Sequence, residues 1–351
     1  MSALPILAAV EGGGTSFVLT IAELQPSLNA TASGDTIPYT RFRIIHKTSI
    51  KTTTPEETLT KSAHFFSTHC SSDGYEGLGI CTFGPVGVNP SKPDSYGKIL
   101  PGSPKKDWRN VDILTPILEA CTVANKKPYY KVDTDVNAPA MAEFEYRTKV
   151  LKQNITSLAY ITVGTGVGVG LVVNSLPVHG MMHPEGGHVP IVPLKSDHNV
   201  CGYSWGAKSP YKGVSTVEGT ASSVALTERL GNISSSDKRE GLKDLDDVHP
   251  LWDDASNAIA NLCVTLTLIT SAEKIIFGGG VMNRTVLYDK IRLKTRELLN
   301  GYLDLEQITT DDGLKEYIGP SVWKESDGHG AGLVGSLVLA QIAYLDEQQT
   351  M

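Results

Sequence analysis

Lys131–Phe144 reads K-V-D-T-D-V-N-A-P-A-M-A-E-F. It is followed by A-Y-I-T-V-G-T-G-V-G-V-G-L-V-V at Ala159–Val173 and M-M-H-P-E-G-G-H at Met181–His188. These pieces put an acidic residue at the end of an apolar strand, a glycine-dense turn between two apolar strands, and a Glu/His cluster in one stretch. A proton acceptor, an anion cradle and polar groups for a hydroxylated substrate are the parts a group-transfer enzyme needs together.

The glycine turn decides the class. Leu158–Val163 and Val169–Val173 are apolar and largely β-branched, so Gly164–Gly170 joins two strands. Glycines at 164, 166, 168 and 170 leave backbone N–H groups uncovered for an anion, and Thr165 adds a hydroxyl. The dinucleotide spacing G-x-G-x-x-G fails, because Gly168 falls one residue early and a strand follows instead of a helix. No G-x-x-x-x-G-K-[ST] occurs, which excludes a P-loop enzyme. Taken alone, the turn is equally a strand whose glycines admit a neighbouring helix.

It is not alone. Ile6–Val10 and Phe17–Ala22 are strands joined by E-G-G-G-T-S at Glu11–Ser16, the same device in the first half of the chain. Paired hairpins of this kind predict two similar halves, each offering a phosphate loop to one cleft. A third glycine run, Gly278–Gly280, follows the apolar strand Lys274–Phe277, where a flat base or a phosphate can rest on backbone. Asp133 and Asp135, two residues apart on the same side of an extended strand, are both candidate bases.

Elsewhere the pattern predicts an extended loop over Gln25–Thr40 and a helix over Pro55–His69 after the Thr52–Thr54 cap region. Gly77–Cys81 is a strand stopped by T-F-G-P-V-G, Pro101–Trp108 a loop and Val111–Cys121 a helix. Asn137 is expected to cap a helix running to about Lys149, with Pro139 in its first turn. Pro190–Gly213 reads as a long loop, Glu218–Leu230 as a helix, and Ser234–Asp247 as a charged insertion. Trp252–Ala272 and Gly332–Leu345 are apolar helices.

Composition sets limits on function. The 351 residues suffice for two domains and a sizeable core. No run of about 18 apolar residues and no basic leader is present, so neither membrane nor secretion is expected. Five scattered cysteines without a C-x-x-C pair suit a reduced, cytoplasmic setting. A net charge of −7 argues against nucleic acid as a partner.

Six motifs in order now carry a family resemblance: E-G-G-G-T-S-F (Glu11–Phe17), T-F-G-P-V (Thr82–Val86), T-D-V-N-A-P-A-M-A-E-F (Thr134–Phe144), V-G-T-G-V-G-V-G (Val163–Gly170), H-P-E-G-G-H (His183–His188) and I-I-F-G-G-G-V-M (Ile275–Met282). The chain resembles the ROK-family sugar kinases, and most their fructokinase branch, over about Ile6–Leu345. The resemblance implies an α/β, actin-like ATPase fold of ribonuclease H-like topology, with two domains and a central cleft. The expected small domain is 1–136, completed by the helix 332–351, and the larger one 137–331.

It also implies transfer of the γ-phosphate of ATP, with Mg²⁺, to the 6-hydroxyl of a hexose, fructose first. Asp135 matches the family's catalytic base, which ranks it first and Asp133 second. Gly13, Gly14, Thr15, Gly164, Thr165 and Gly166 match its phosphate loops, and Gly279 and Gly280 its adenosine contact. Gly84, Pro85, Thr134, Glu185, His188 and Glu218 match positions around the sugar. A second copy of the chain, as a homodimer, stands among the candidate partners. The competing readings are a kinase for glucose, mannose or an unusual ketose, and a sugar sensor without turnover. Only five residues precede the first strand, which leaves no helix-turn-helix for a DNA-binding repressor.

Two positions depart from the family pattern. Ser16 stands where many members carry Lys after the first Gly-Thr. The family's structural zinc takes the His of the G-H motif and three later Cys/His ligands, but from His188 to Glu218 only His188, His198 and Cys201 qualify. Four are needed. No structural zinc is therefore expected. The long loop is expected to be held instead by Ser209, Ser215 and Thr216, over Trp205 and Tyr211.

Overall fold

The structure is a computed structural model and describes residues 4–28, 34–195, 215–230 and 240–350. Contacts divide the chain into two compact units. One comprises Met1–Asn154, Leu176–His183 and Val322–Met351; the other, Ile155–Ser175 and Pro184–Ser321. Each is built on a five-stranded mixed sheet with helices.

In the first unit, β1 (Ile6–Gly12), β2 (Ser16–Leu24), β3 (Phe42–Lys51), β4 (Gly77–Thr82) and β5 (Tyr129–Thr134) assemble in the order β3-β2-β1-β4-β5. The β1-β2 and β2-β3 pairs are antiparallel, whereas β1-β4 and β4-β5 are parallel. This is the order of the ribonuclease H-like topology. The sequence pattern leaves β3 unassigned. F-R-I-I-H-K-T-S-I-K alternates around Arg, His and Lys, and most of it is solvent-exposed, as suits a charged edge strand that resists further pairing.

The helix α1 (Pro55–His69) has its predicted bounds. The Thr54 hydroxyl accepts from the Glu57 amide, Pro55 fills the first turn, and Glu56 and Glu57 face the positive end of the dipole. The helix predicted over Val111–Cys121 is shorter, α2 (Leu114–Ala120). Next, α3 (Asn137–Glu145) runs into a π-helical turn at Tyr146–Val150.

In the second unit, β6 (Leu158–Val163) and β7 (Val167–Val173) form the predicted hairpin. With β8 (Leu176–Pro177), β9 (Ile275–Gly278) and β10 (Ile318–Pro320) they are ordered β10-β9-β6-β7-β8. The helix expected over Glu218–Leu230 is broken at Ser222 into α4 (Val217–Ala221) and α5 (Ser223–Arg229), because the Ser222 hydroxyl caps the second piece. After α6 (Glu240–Lys243) comes α7 (Pro250–Thr270), apolar along most of its length. It packs on α8 (Val286–Leu299), with α9 (Glu306–Thr309) and α10 (Asp311–Tyr317) closing the unit.

The final helix, α11 (Ala331–Thr350), lies against β4 and α3 of the first unit. It approaches so closely that a Cβ on Gly79 would fall 2.0 Å from the Ser336 carbonyl oxygen, and one on Gly335 2.5 Å from the Ala138 backbone. That packing keeps α3 with the first unit, so the division falls after Asn154 and not at the expected residue 136. Among the described residues no helix is long and apolar enough to cross a membrane.

Candidate active site

In the first unit, the turn between β1 and β2 is closed by its own backbone and braced from behind by Thr52. The Gly13 amide donates to the Ser16 carbonyl at 2.9 Å, and a Cβ on Gly13 would lie 2.8 Å from that oxygen. Behind the turn, the Thr52 hydroxyl donates to the Gly13 carbonyl at 2.8 Å and the Thr52 amide to the Thr15 carbonyl at 2.9 Å. Gly14 and Thr15 are left exposed, so they are the part of the turn open to an anion.

Asp135 follows the end of β5, its amide donating to the Thr82 carbonyl at 3.0 Å. The expected cap of α3 is corrected here. Asn137 is the first helical residue, and the Thr134 hydroxyl accepts from its amide at 3.0 Å. Thr134 itself is buried. The capping is thus done one residue before Asp135, and among the described residues no other side chain hydrogen-bonds to the Asp135 carboxylate. Burial pushes that carboxyl up to about 6. Nearby Glu11 is pushed up to about 7, first by burial, then by the charges of Glu325 and Asp135, with Lys47 opposing. A Cβ on Gly332 would touch the Glu11 carboxylate at 2.0 Å, so Glu11 sits against the first turn of α11.

Asp133, the second candidate base, is engaged elsewhere. It is 2% exposed, and its Oδ2 lies 2.8 Å from His179 Nε2. His179 belongs to the segment Leu176–His183, which is also tied to the unit where Asn137 Nδ2 donates to the Val178 carbonyl at 3.5 Å and the Val86 backbone amide to His183 Nε2 at 3.2 Å. The His183 ring packs on Gly84, whose Cβ position is 3.1 Å from Cε1. Gly84 and Pro85 thus form a turn held by His183 on one side. On the other, the Ser103 hydroxyl donates to the Gly84 carbonyl at 3.3 Å.

In the second unit, Gly164–Gly166 is a tight hairpin turn, the Gly164 amide donating to the Gly166 carbonyl at 2.9 Å. Thr165 is exposed at its tip. Glu218 Oε2 accepts from the Val167 amide at 2.8 Å, and a Cβ on Gly166 would come within 2.5 Å of that oxygen, so Gly166 is required by the carboxylate beside it. The other oxygen, Oε1, is buried and without a hydrogen-bond partner among the described residues. Burial pushes the Glu218 carboxyl up, against the pull of the Val167 amide and His188. An orphan acceptor of this kind is costly unless something donates to it. His188 Nε2 stands 3.9 Å from Glu185 Oε2.

The third glycine run divides by role. Gly279 has φ +88° and its Cβ position is 2.4 Å from the Val163 carbonyl oxygen, so the turn itself demands glycine there. At Gly280 an added Cβ would meet nothing within 4 Å.

The structure therefore gathers Gly13, Gly14, Thr15, Gly84, Pro85, Thr134 and Asp135 in one unit, and Gly164, Thr165, Gly166, Glu185, His188, Glu218, Gly279 and Gly280 in the other. Sequence reasoning passed over His179, Lys105 and the part played by Glu11. A signal existed only for Glu11, the acidic residue directly before the first glycines. His198, Cys201, Trp205, Ser209 and Tyr211 lie outside the described residues. Thr216 is described, and its hydroxyl accepts from the Gly219 amide, capping α4.

The pattern of the ROK family matches residues 7–343. A fructokinase of Zymomonas mobilis is 34% identical, over 96% of this chain and 97% of its own. A fructokinase of Pediococcus pentosaceus is 32% identical, over 96% and 98%. Among solved structures, the ROK hexokinase of Thermus thermophilus superposes with a TM-score of 0.65 at 19% identity, covering 98% of this chain and 99% of that one. A ROK glucokinase of Streptomyces griseus, in complex with glucose and AMPPNP, gives 0.62 at 21%, covering 97% and 99%.

Proposed function

The chain belongs to the ROK family, has the actin-like ATPase fold expected of it and is an ATP-dependent sugar kinase; on that premise we propose that it converts fructose to fructose 6-phosphate. The observation that carries the mechanism is Asp135. Its carboxylate ends a strand beside a glycine turn, no other described side chain hydrogen-bonds to it, and its pKa of about 6 leaves it ionised yet basic at neutral pH. The choice of sugar rests on the fructokinases that match nearly the whole chain.

In this reading Asp135 accepts the 6-hydroxyl proton as the O6–P bond forms and the bond from the γ-phosphorus to the β–γ bridging oxygen breaks. ADP leaves with that electron pair. Gly14 and Thr15, and likewise Thr165 and Gly166, present backbone N–H groups and hydroxyls for the phosphates, on turns closed by the Gly13 and Gly164 amides. Gly279 and Gly280 give the adenosine a flat approach. Gly84, Pro85, Thr134, Glu185 and His188 bound the sugar, and the unpartnered Oε1 of Glu218 is an acceptor for a sugar hydroxyl. Mg²⁺, where it is bound with ATP, would supply positive charge against the phosphates. Glu11 fits it, being a carboxylate in a locally acid-rich recess with Glu325 and Asp135 as neighbours. ATP and a hexose are the partners, the cytoplasm the setting and a homodimer the candidate assembly; nucleic acid and membrane have no part in it.

The test is hexose-dependent ADP release across fructose, glucose, mannose and a set of ketoses, with the product's phosphate position read by NMR. A kcat/KM for fructose at least tenfold above the others is expected. ADP release that no hexose stimulates would remove the kinase reading in favour of a sugar sensor.

A further inference from the structure

The first glycine turn offers an anion only backbone N–H groups and a hydroxyl, and Ser16 at its end brings no charge. A phosphoryl group in transfer spreads negative charge over its oxygens and calls for a fixed cation. Four lysines of the first unit come into consideration. Lys47 donates to the Gly328 carbonyl at 2.7 Å. Lys51 lies on the exposed edge strand β3, and Lys106 is exposed. Lys105 differs from all three.

Lys105 is half-buried, and its Cε lies 3.2 Å from the Cβ position of Gly14, the exposed glycine of the turn. Its Nζ is 5.6 Å from the centre of the Phe83 ring, next to Gly84 and Pro85. Among the described residues it takes part in no ion pair. The loop that carries it is pinned to the floor of the same turn. Trp108 Nε1 donates to the Thr53 carbonyl at 3.1 Å, beside the Thr52 that holds Gly13, and its ring packs on Phe17 and Phe83 at 5.5 and 5.4 Å. The fully buried Ser103 joins the Gly84 carbonyl to the Lys105 amide, and Arg109 Nε donates to the Ser103 carbonyl at 2.7 Å. A long, flexible side chain without an acidic partner is thus held between the phosphate turn and the Gly84–Pro85 turn.

We propose that Lys105 is a catalytic residue whose ammonium contacts the γ-phosphoryl oxygens during transfer. The assignment rests on the sugar-kinase reading and adds to it the cation of the phosphate site. Oxygen–phosphorus bond formation and breakage, with proton transfer to Asp135, proceed as described above. Lys105 neither gains nor loses a proton; it offsets charge on the group in flight.

The experiment compares wild type with Lys105→Met, Lys105→Gln, Lys105→Arg and Lys106→Met. It measures kcat with saturating fructose and, by calorimetry, the affinities for ATP, ADP and AMP. Lys105→Met keeps the stem over Phe83 and is expected to lower kcat about 10²- to 10³-fold, the usual effect of removing one transition-state donor. ATP binding is expected to weaken more than ADP binding, and AMP binding to stay unchanged. Lys105→Arg is expected to regain part of the rate, and Lys106→Met to match wild type. Equal weakening of all three nucleotides, or an unchanged kcat in a folded Met or Gln variant, overturns the assignment. A wild-type enzyme that turns over no hexose counts instead against the kinase reading itself.

Discussion

Asp133, buried at the end of β5, pairs with the exposed ring of His179. One carboxylate oxygen lies 2.8 Å from His179 Nε2 and the other accepts the Thr134 amide at 2.7 Å. The relationship separates the two aspartates of D-T-D, Asp133 and Asp135. Asp133 uses its oxygens to hold β5 and the segment Leu176–His183 together, whereas among the described residues no side chain hydrogen-bonds to the carboxylate of Asp135.

Asp133→Asn is therefore expected to weaken the fold more than the chemistry. It removes the charge from a buried, hydrogen-bonded carboxylate, at a cost of about 1–3 kcal/mol, while kcat stays within about tenfold of wild type. Urea unfolding and steady-state kinetics on the same preparation check both halves. Unchanged stability with a kcat loss of about 10²-fold or more would move the base from Asp135 to Asp133.

Asp135→Asn has the opposite signature. Turnover is expected to fall about 10²- to 10⁴-fold with sugar binding retained. In wild type, kcat is expected to rise with pH through about 6 and then level off, because only the ionised carboxylate accepts a proton. Stability moves the other way. The folded carboxyl titrates above its usual 3.8, so the folded state binds more protons between about pH 4 and 6 and loses stability as pH rises through that window. At pH 7.5 the Asn variant is expected to be more stable than wild type by about 1–3 kcal/mol. Thermal unfolding of both proteins at pH 5 and pH 7.5 reads this directly, and a variant less stable at both would contradict it.

The two glycines after β9 are predicted to respond differently. Gly280→Val, placed in open space, is expected to raise the KM for ATP several-fold with fructose KM and melting temperature unchanged. Gly279→Ala meets a positive φ and the Val163 carbonyl, and is expected to lower stability by about 1–3 kcal/mol. Equal ATP dependence in Gly280→Val and wild type would make the whole run a turn and nothing more.

Metal content provides a fourth check. A closed tetrahedral site needs four thiolate or imidazole ligands, and the chain between His188 and Glu218 supplies three at most. Metal analysis of purified protein is expected to find far less than one zinc per chain, with activity insensitive to a zinc-selective chelator in excess Mg²⁺. About one zinc per chain, lost together with activity, refutes this.

Where local chemistry acts alone, the sequence was informative. Thr54 and Pro55 started α1, the glycines set both hairpins, and T-D-V-N marked a strand end meeting a helix. It was silent where the cause is remote. Asn137 is a local exception: the hydroxyl of Thr134, three residues back, accepts from its amide, so Asn137 starts the helix instead of capping it. β3 carries too many charges to announce itself, and only pairing with β2 makes it a strand. His179 and Lys105 stand far along the chain from Asp133 and Gly14. No periodicity joins such pairs; the fold does. The break at Ser222 is open to prediction, since a Ser before S-V-A can cap a second helix.

The packing of α11 also governs the order in which the molecule can be completed. Strands β1 to β5 lie within the first 134 residues, but the helix that presses on Gly79 and Ala138 begins at Ala331. A ribosome adding about 5–20 residues per second would expose the first sheet tens of seconds before its cover arrives. The sheet of the second unit, closed by Ser321, needs no such wait. The half of the chain made first is thus the half that finishes last, and Asp135 acquires its final surroundings only when the last helix docks.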